Sequence, residues 1–253
     1  MRKENIIYGL RPVMEAIASG REIERLFIQT GLKGSLYHQL IQMAQESNTP
    51  YQYVPTGRLN RLTTGNHQGV VCLLSAIVYH PVESLVPALY EQGKPPFLLI
   101  LDRITDIRNF GAIVRTAEGA GVDGIVISAK GSAQINADAV KTSAGALLNM
   151  PVHRSLNMHN TLVYLKNSGL HIIAATEKAL QPYHVPDYTV PVAIIMGSEE
   201  KGISKELLKL ADSMVAIPLR GKIQSLNVAV AAGIIMFEVV KQRLAYDEEN
   251  RSK

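Results

Sequence analysis

From Phe97 onward the chain repeats one arrangement. A short, continuously apolar run is followed by a polar or helical stretch, then by another apolar run. The apolar runs fall at 97–101, 124–128, 151–153, 171–175, 192–196 and 214–217. Helical spacing falls near 109–118, 136–148, 157–166, 204–211 and 226–244, and residues 177–188, with Pro182 and Pro186, read as a loop. A strand that is apolar at every position must be covered on both faces. The pattern therefore predicts an α/β fold, a mostly parallel sheet with helices on both faces.

The preceding residues predict a smaller α/β unit. Strand patterns at 26–28, 51–54 and 70–76 alternate with helical spacing, as in Met14 and Ile17 or Leu36, Leu40 and Ala44. Pro81, Pro87, Gly93, Pro95 and Pro96 suggest a linker with one short helix inside it. The expected layout is a domain at 1–76, a linker at 77–94 and a second domain at 95–253.

Charge and cysteine content exclude more than they select. A net charge of +4 and a pI near 9.1 are compatible with a polyanionic partner and equally with an ordinary enzyme. The single cysteine, Cys72, lies in an apolar run, so neither a disulfide framework nor a Cys-rich metal site is expected. No His/Asp/Glu cluster has metal-ligand spacing, so no metal is expected. The start has no long apolar stretch, and the run 228–240 is too short to span a bilayer. A cytoplasmic location with no membrane contact is the expectation. Gly119, Gly121 and Gly124 match the spacing of a dinucleotide fingerprint. They follow a helix and precede a strand, the reverse of what that fingerprint requires.

The most informative stretch is 217–230, IPLRGKIQSLNVAV. A strand ends at Pro218, a basic Gly-containing loop follows, and Ser225 or Asn227 is placed to cap a helix. Helix starts beyond strand ends present free N–H groups to ligands. Two upstream stretches accompany it, 101–119 (LDRITDIRNFGAIVRTAEG) and 194–204 (IIMGSEEKGIS). In the first, Asn109 is placed to cap a helix carrying Arg115. Spacing alone reads Arg115 as the partner of Glu118 on a surface helix. In the second, Gly197 and Gly202 suit tight turns after a strand.

In this order the three stretches resemble the motifs of the SpoU (TrmH-type) RNA 2′-O-ribose methyltransferases, over about residues 95–245. The amino-terminal part resembles the RNA-binding extension of the 23S ribosomal RNA guanosine 2′-O-methyltransferase branch. The resemblance implies a homodimer with a trefoil knot in the C-terminal segment and S-adenosyl-L-methionine bound in the knot. It implies that Arg115, Asn109, Glu199, Ser225 and Asn227 serve the reaction. It also implies that Gly197, Ile217 and Leu226, with flanking Met196 and Pro218, contact the cofactor. Capping remains the other reading of Ser225 and Asn227. Arg58, Arg61, His67, Gln68 and Arg108 are candidate RNA contacts, the alternative being a solvated surface.

A guanidinium stays protonated at any working pH. Arg115 is therefore expected to act as a fixed cation beside a developing 2′-alkoxide, with Glu199 or water taking the proton. The sequence departs from the usual motifs at Ile107–Arg108, where a proline-containing pair is common, at Glu200, where glycine is usual, and at Ala229, where serine is frequent. The implied activity is methylation of a guanosine ribose 2′-hydroxyl in ribosomal RNA. A transfer RNA methyltransferase and a non-catalytic RNA-binding or ribosome-assembly factor are the alternatives.

Overall fold

The computed structural model describes residues 6–251, and the chain divides into two compact units between residues 78 and 79. The first unit runs β1 (Ile6–Tyr8), α1 (Leu10–Ala18), β2 (Ile23–Gln29), α2 (Ser35–Glu46), β3 (Tyr51–Val54), α3 (Thr56–Leu62) and β4 (Val70–Leu74). Its sheet has the order β1-β4-β2-β3, with β4 antiparallel to both neighbours and β2 parallel to β3. Alternation along the strands builds two cores. Leu26, Ile28, Val70 and Cys72 pack with Val13, Ile17, Leu40 and Ala44 of α1 and α2. Phe27, Val71 and Leu73 pack on the other face with Val54 and with Leu59 of α3.

The second unit runs α4 (Val82–Glu91), β5 (Phe97–Asp102), α5 (Ile107–Gly119), β6 (Gly124–Ser128), α6 (Ala137–Thr142), β7 (Val152–Ser155), α7 (Met158–Asn167), β8 (His171–Ala175), β9 (Gln181–Pro182), β10 (Val192–Gly197), α8 (Lys205–Leu208), β11 (Ser213–Ala216) and α9 (Val228–Arg251). Its sheet has the order β7-β6-β5-β10-β8-β11-β9, and every pairing is parallel. Leu98, Ile100, Ile172, Ala193 and Ile195 pack with Val82 and Val86 of α4, Leu162 and Leu165 of α7 and Leu207 of α8. The intervening Leu99, Leu101, Ile194 and Met196 are also buried, as are Phe110, Ile113 and Ala117 of α5 and Ala232, Ile235 and Met236 of α9. Continuous apolar strands thus reflect cover on both sides.

The structure corrects several expectations. The segment 77–94 is not a free linker, because Val82, Val86 and Leu89 bury α4 in the second unit. The helix expected at 136–148 breaks after Thr142, where Ala144 and Gly145 take positive φ. Within 177–188, Gln181 and Pro182 pair with β11. The last helix starts at Val228 and continues to Arg251.

Candidate active site

In a parallel sheet, ligands gather at the carboxyl ends of the strands where the strand order reverses. Here the order reverses at β5 and β10, which run in register from Phe97 opposite Val192 to Asp102 opposite Gly197. Beyond the ends of β10, β8 and β11 lies a cavity of about 350 Å³, inside the range of cofactor sites. Val215, Ile217, Leu226 and Ile235 give it apolar walls, and Thr176, Ser198, Glu199 and Ser225 add polar groups.

Of the five expected cofactor contacts, Gly197, Ile217, Leu226 and Met196 line this cavity. Pro218 lines instead a neighbouring hollow of about 320 Å³, with Leu180, Pro182 and Ile223. Gly197 has a steric reason to be glycine, because a Cβ there would collide with the backbone of Gly202 and Ile203. The loop from β10 folds back on itself through a Ser198–Gly202 bridge, and Gly202 turns with a φ of +62°. Among the described residues, no backbone N–H from Leu219 to Leu226 donates to a protein acceptor. Four of these residues, Leu219, Gln224, Ser225 and Leu226, line the cavity and keep backbone donors available to a ligand.

At one edge of the cavity three distant segments meet on one carboxylate oxygen. Glu199 Oε1 accepts from Asn227 Nδ2 at 2.6 Å, from the Val228 backbone N–H at 3.1 Å and from Asn109 Nδ2 at 3.3 Å. Asn227 also caps α9, its Oδ1 accepting from the N–H groups of Ala229 at 3.0 Å and Val230 at 3.4 Å. Asn109 is not the cap expected for α5. Asp106 is, accepting from the N–H groups of Arg108 at 2.7 Å and Asn109 at 3.1 Å. Those two bonds, Asn109's first, hold the Asp106 carboxyl below its ordinary pKa. Asn109 therefore lies inside the first turn, and its side chain is free to reach Glu199.

Arg115 lies exposed on α5, does not line the cavity and pairs with no group among the described residues, so the Arg115–Glu118 ion pair does not form. Gly111 serves packing, since a Cβ there would collide with Thr142 of α6. Ser225 lines the cavity and caps nothing.

In the first unit, His67 and Gln68 are tied inward. His67 Nδ1 accepts from the Gly69 N–H at 2.9 Å, which fixes the tautomer and leaves Nε2 to donate to Asn60 Oδ1 at 2.8 Å. Gln68 Oε1 accepts from the Leu10 N–H at 3.2 Å. Both shape the loop before β4, while Gln68 stays exposed and His67 half-buried. Arg58 and Arg61 of α3 are exposed, Arg58 standing 5.2 Å over the Phe27 ring. Arg108 is also exposed, 3.5 Å from Asp106 Oδ2.

Residues 96–237 match the SpoU rRNA Methylase family. The chain belongs to that family. Residues 6–79 match a second model, RNA 2′-O ribose methyltransferase substrate binding. Among curated relatives, this SpoU family member is 33% identical over 242 residues to the putative TrmH family tRNA/rRNA methyltransferase YacO of Bacillus subtilis, covering 96% of this chain and 97% of that one. Among solved structures, an AdoMet-bound rRNA methyltransferase from Sinorhizobium meliloti aligns over 93% of this chain and 86% of that one, with 26% identity and a TM-score of 0.60. A TrmH/SpoU tRNA modifying enzyme of A. aeolicus aligns over 66% of this chain and 86% of that one, with 30% identity and a TM-score of 0.55.

Sequence reasoning missed Asp102, Arg103 and Asp106. Asp106 carried a legible signal, an acidic residue just before a helical pattern. Asp102 and Arg103 carried none, because their partners lie about a hundred residues away.

Proposed function

We propose that this SpoU-family enzyme transfers a methyl group from S-adenosyl-L-methionine to the ribose 2′-hydroxyl of a guanosine in ribosomal RNA. The observation that carries the reading is the meeting of Asn109, Glu199 and Asn227 at the edge of the strand-end cavity. The cavity's size, apolar walls and available backbone donors fit a nucleoside-containing cofactor, held by Gly197, Ile217 and Leu226. When bound, that cofactor supplies an electrophilic methyl group.

The chain's own residues supply positioning and charge. Glu199 Oε1 takes up its three donors, which leaves Oε2 to receive a proton or to orient the ribose. Ser225 orients polar groups inside the cavity. The Arg115 guanidinium stabilises the developing alkoxide or grips the adjoining phosphate. It does not line its own chain's cavity, and this favours a homodimer. Val230, Phe237 and Leu244 repeat at seven-residue spacing on α9, each at least half exposed (53%, 50% and 58%), and α9 packs on α5, which carries Arg115. A second copy covering that stripe brings Arg115 to an interface.

The C-terminal segment forms a trefoil knot in this reading. In support, β11 lies beyond β8, yet α9 returns to pack on α5 and β10. The first unit grips RNA through Arg58 and Arg61, with Arg108 contributing from the second. We place the enzyme in the cytoplasm, with its RNA. Among the described residues, no helix is long and apolar enough to cross a membrane.

The experiment is methyl transfer from labelled S-adenosylmethionine to bulk ribosomal RNA and, separately, transfer RNA, both from cells lacking the activity. Label recovered as 2′-O-methylguanosine in ribosomal RNA is expected, falling about 10²-fold or more in Arg115→Ala. Label in transfer RNA alone overturns the substrate. Absence of cofactor binding overturns the chemistry.

A further inference from the structure

Glu199 sits on no regular element. It belongs to the loop 198–204 between β10 and α8, which closes on itself through Gly202 N–H to Ser198 O at 2.8 Å and Lys201 N–H to Ser198 Oγ at 3.2 Å. These bonds close the loop on itself. Two residues at the end of the adjacent strand tie it to the sheet. The Asp102 carboxylate is buried, and its Oδ2 accepts from the Ser204 N–H at 2.7 Å. Arg103 Nη2 donates to the Gly202 carbonyl at 3.1 Å, and its Nε lies 3.4 Å from Asp102 Oδ1. One residue holds the loop's exit at Ser204 and the next holds the end of its turn at Gly202.

Arg103 reaches the loop at a cost. Its φ is +60°, in the left-handed region that non-glycine residues avoid. Its Nε is buried without a hydrogen-bond acceptor. Strain of this kind persists where the surroundings impose it, and it gathers at functional sites. We infer that Asp102 and Arg103 form a positioning pair, which sets loop 198–204 at the height where Glu199 meets Asn109, Asn227 and the start of α9. Neither residue lines the cavity. The pair acts through Glu199, so its catalytic consequence rests on the function proposed above.

The test has two parts, both on the full chain. In the first, amide hydrogen exchange is followed at Val228, whose N–H is held by Glu199. Arg103→Gly suits the local φ and removes the guanidinium. It is expected to exchange Val228 at least ten-fold faster than wild type, measured against the β5 core amide of Ile100 so that any loss of global stability is divided out. Arg103→Lys, which keeps a donor, is expected to recover part of that protection, and Asp102→Asn to lose part of it. Wild-type exchange at Val228 in both Arg103→Gly and Asp102→Asn overturns the inference whatever the enzyme's activity. In the second part, Arg103→Gly is expected to lower kcat at least ten-fold with KM for RNA within two-fold. In a Glu199→Gln background it is expected to add no further loss, and additive losses overturn action through Glu199. No methyl transfer by wild type overturns the functional reading and leaves the exchange experiment to decide the pair.

Discussion

Asn227 donates from Nδ2 to Asn109 Oδ1 across 3.0 Å, although 118 residues separate them in the chain. The bond fixes both amides. Each turns its Nδ2 toward Glu199, which leaves Asn227 Oδ1 facing the first N–H groups of α9. One side chain thus caps a helix and joins the meeting at Glu199, so the capping reading of Asn227 holds, and its service to the reaction is the proposal made above.

These two duties separate by substitution. Asn227→Ala loses the cap, worth about 1 kcal/mol, together with the bonds to Asn109 and Glu199, so both melting temperature and activity should fall. Asn227→Asp keeps an acceptor at a helix start, where negative charge is favoured. It also sets a second carboxylate against Glu199. Its melting temperature should stay closer to wild type than that of the alanine variant, while methyl transfer falls about ten-fold or more. Melting curves and single-turnover assays on the two variants check this. An active aspartate variant would leave Glu199 without the role given to it.

Gly197 and Gly202 stand at the two ends of one turn and should respond differently to alanine. At Gly197 the new methyl meets backbone that has no room to yield, so β10 and its loop must separate. Overpacking of this kind costs about 1–3 kcal/mol, and the displaced loop should abolish cofactor binding. At Gly202 the space is open, and only the positive φ opposes a side chain, at about 1–2 kcal/mol. Gly202→Ala should therefore lose stability but keep binding. Calorimetric titration with S-adenosylmethionine alongside thermal melts distinguishes the two.

In the first unit, Tyr53 donates to or accepts from Tyr37 across 2.9 Å between their hydroxyls. That bond, with a smaller effect of burial, pushes the Tyr53 pKa up to about 12. A raised tyrosine pKa means the folded state favours the neutral ring. Its contribution is complete below the ordinary phenol value and disappears as pH rises toward about 12. Tyr37→Phe should bring the Tyr53 phenol back toward its ordinary range. A near-ultraviolet absorbance titration of the two proteins is the measurement, and unchanged curves would mean the hydroxyl pair does not form in solution.

Local chemistry was legible in the sequence, and long-range pairing was not. The strands at 124–128 and 171–175 were readable residue for residue, because a run apolar at every position has few other uses. Asn109 and Asn227 stood out as polar residues beside helix starts, and Glu199 entered through the family resemblance. Their convergence on one oxygen depends on the order β5-β10-β8-β11, which no local pattern encodes. Residues 82–91 were read as part of a linker because Pro81 and Pro87 dominate the local signal. Val82, Val86 and Leu89 show that tertiary burial outweighs one proline within a short helix. The bonds of the His67 ring to Asn60 and the Gly69 N–H were not legible either, because nothing local reveals them.

Asp106 offers a pH test of the site's foundations. Its carboxylate caps α5 through the N–H groups of Asn109 and Arg108, and these bonds hold its pKa below the ordinary carboxylate value. A depressed pKa contributes stability that is present above the unfolded value and lost as pH falls through the lower folded one. At neutral pH the cap is intact. Asp106→Asn keeps an acceptor for the same N–H groups, so activity near neutrality should change little, and the loss at low pH should flatten. Asp106→Ala leaves those donors unmet and frays the turn that carries Asn109. Methyl transfer should then drop several-fold at neutral pH without a change in RNA affinity. A carboxyl NMR titration decides whether the cap exists: Asp106 must titrate below an unstructured peptide reference. If it titrates at the reference value, Asn109 has lost the support that brings it to Glu199.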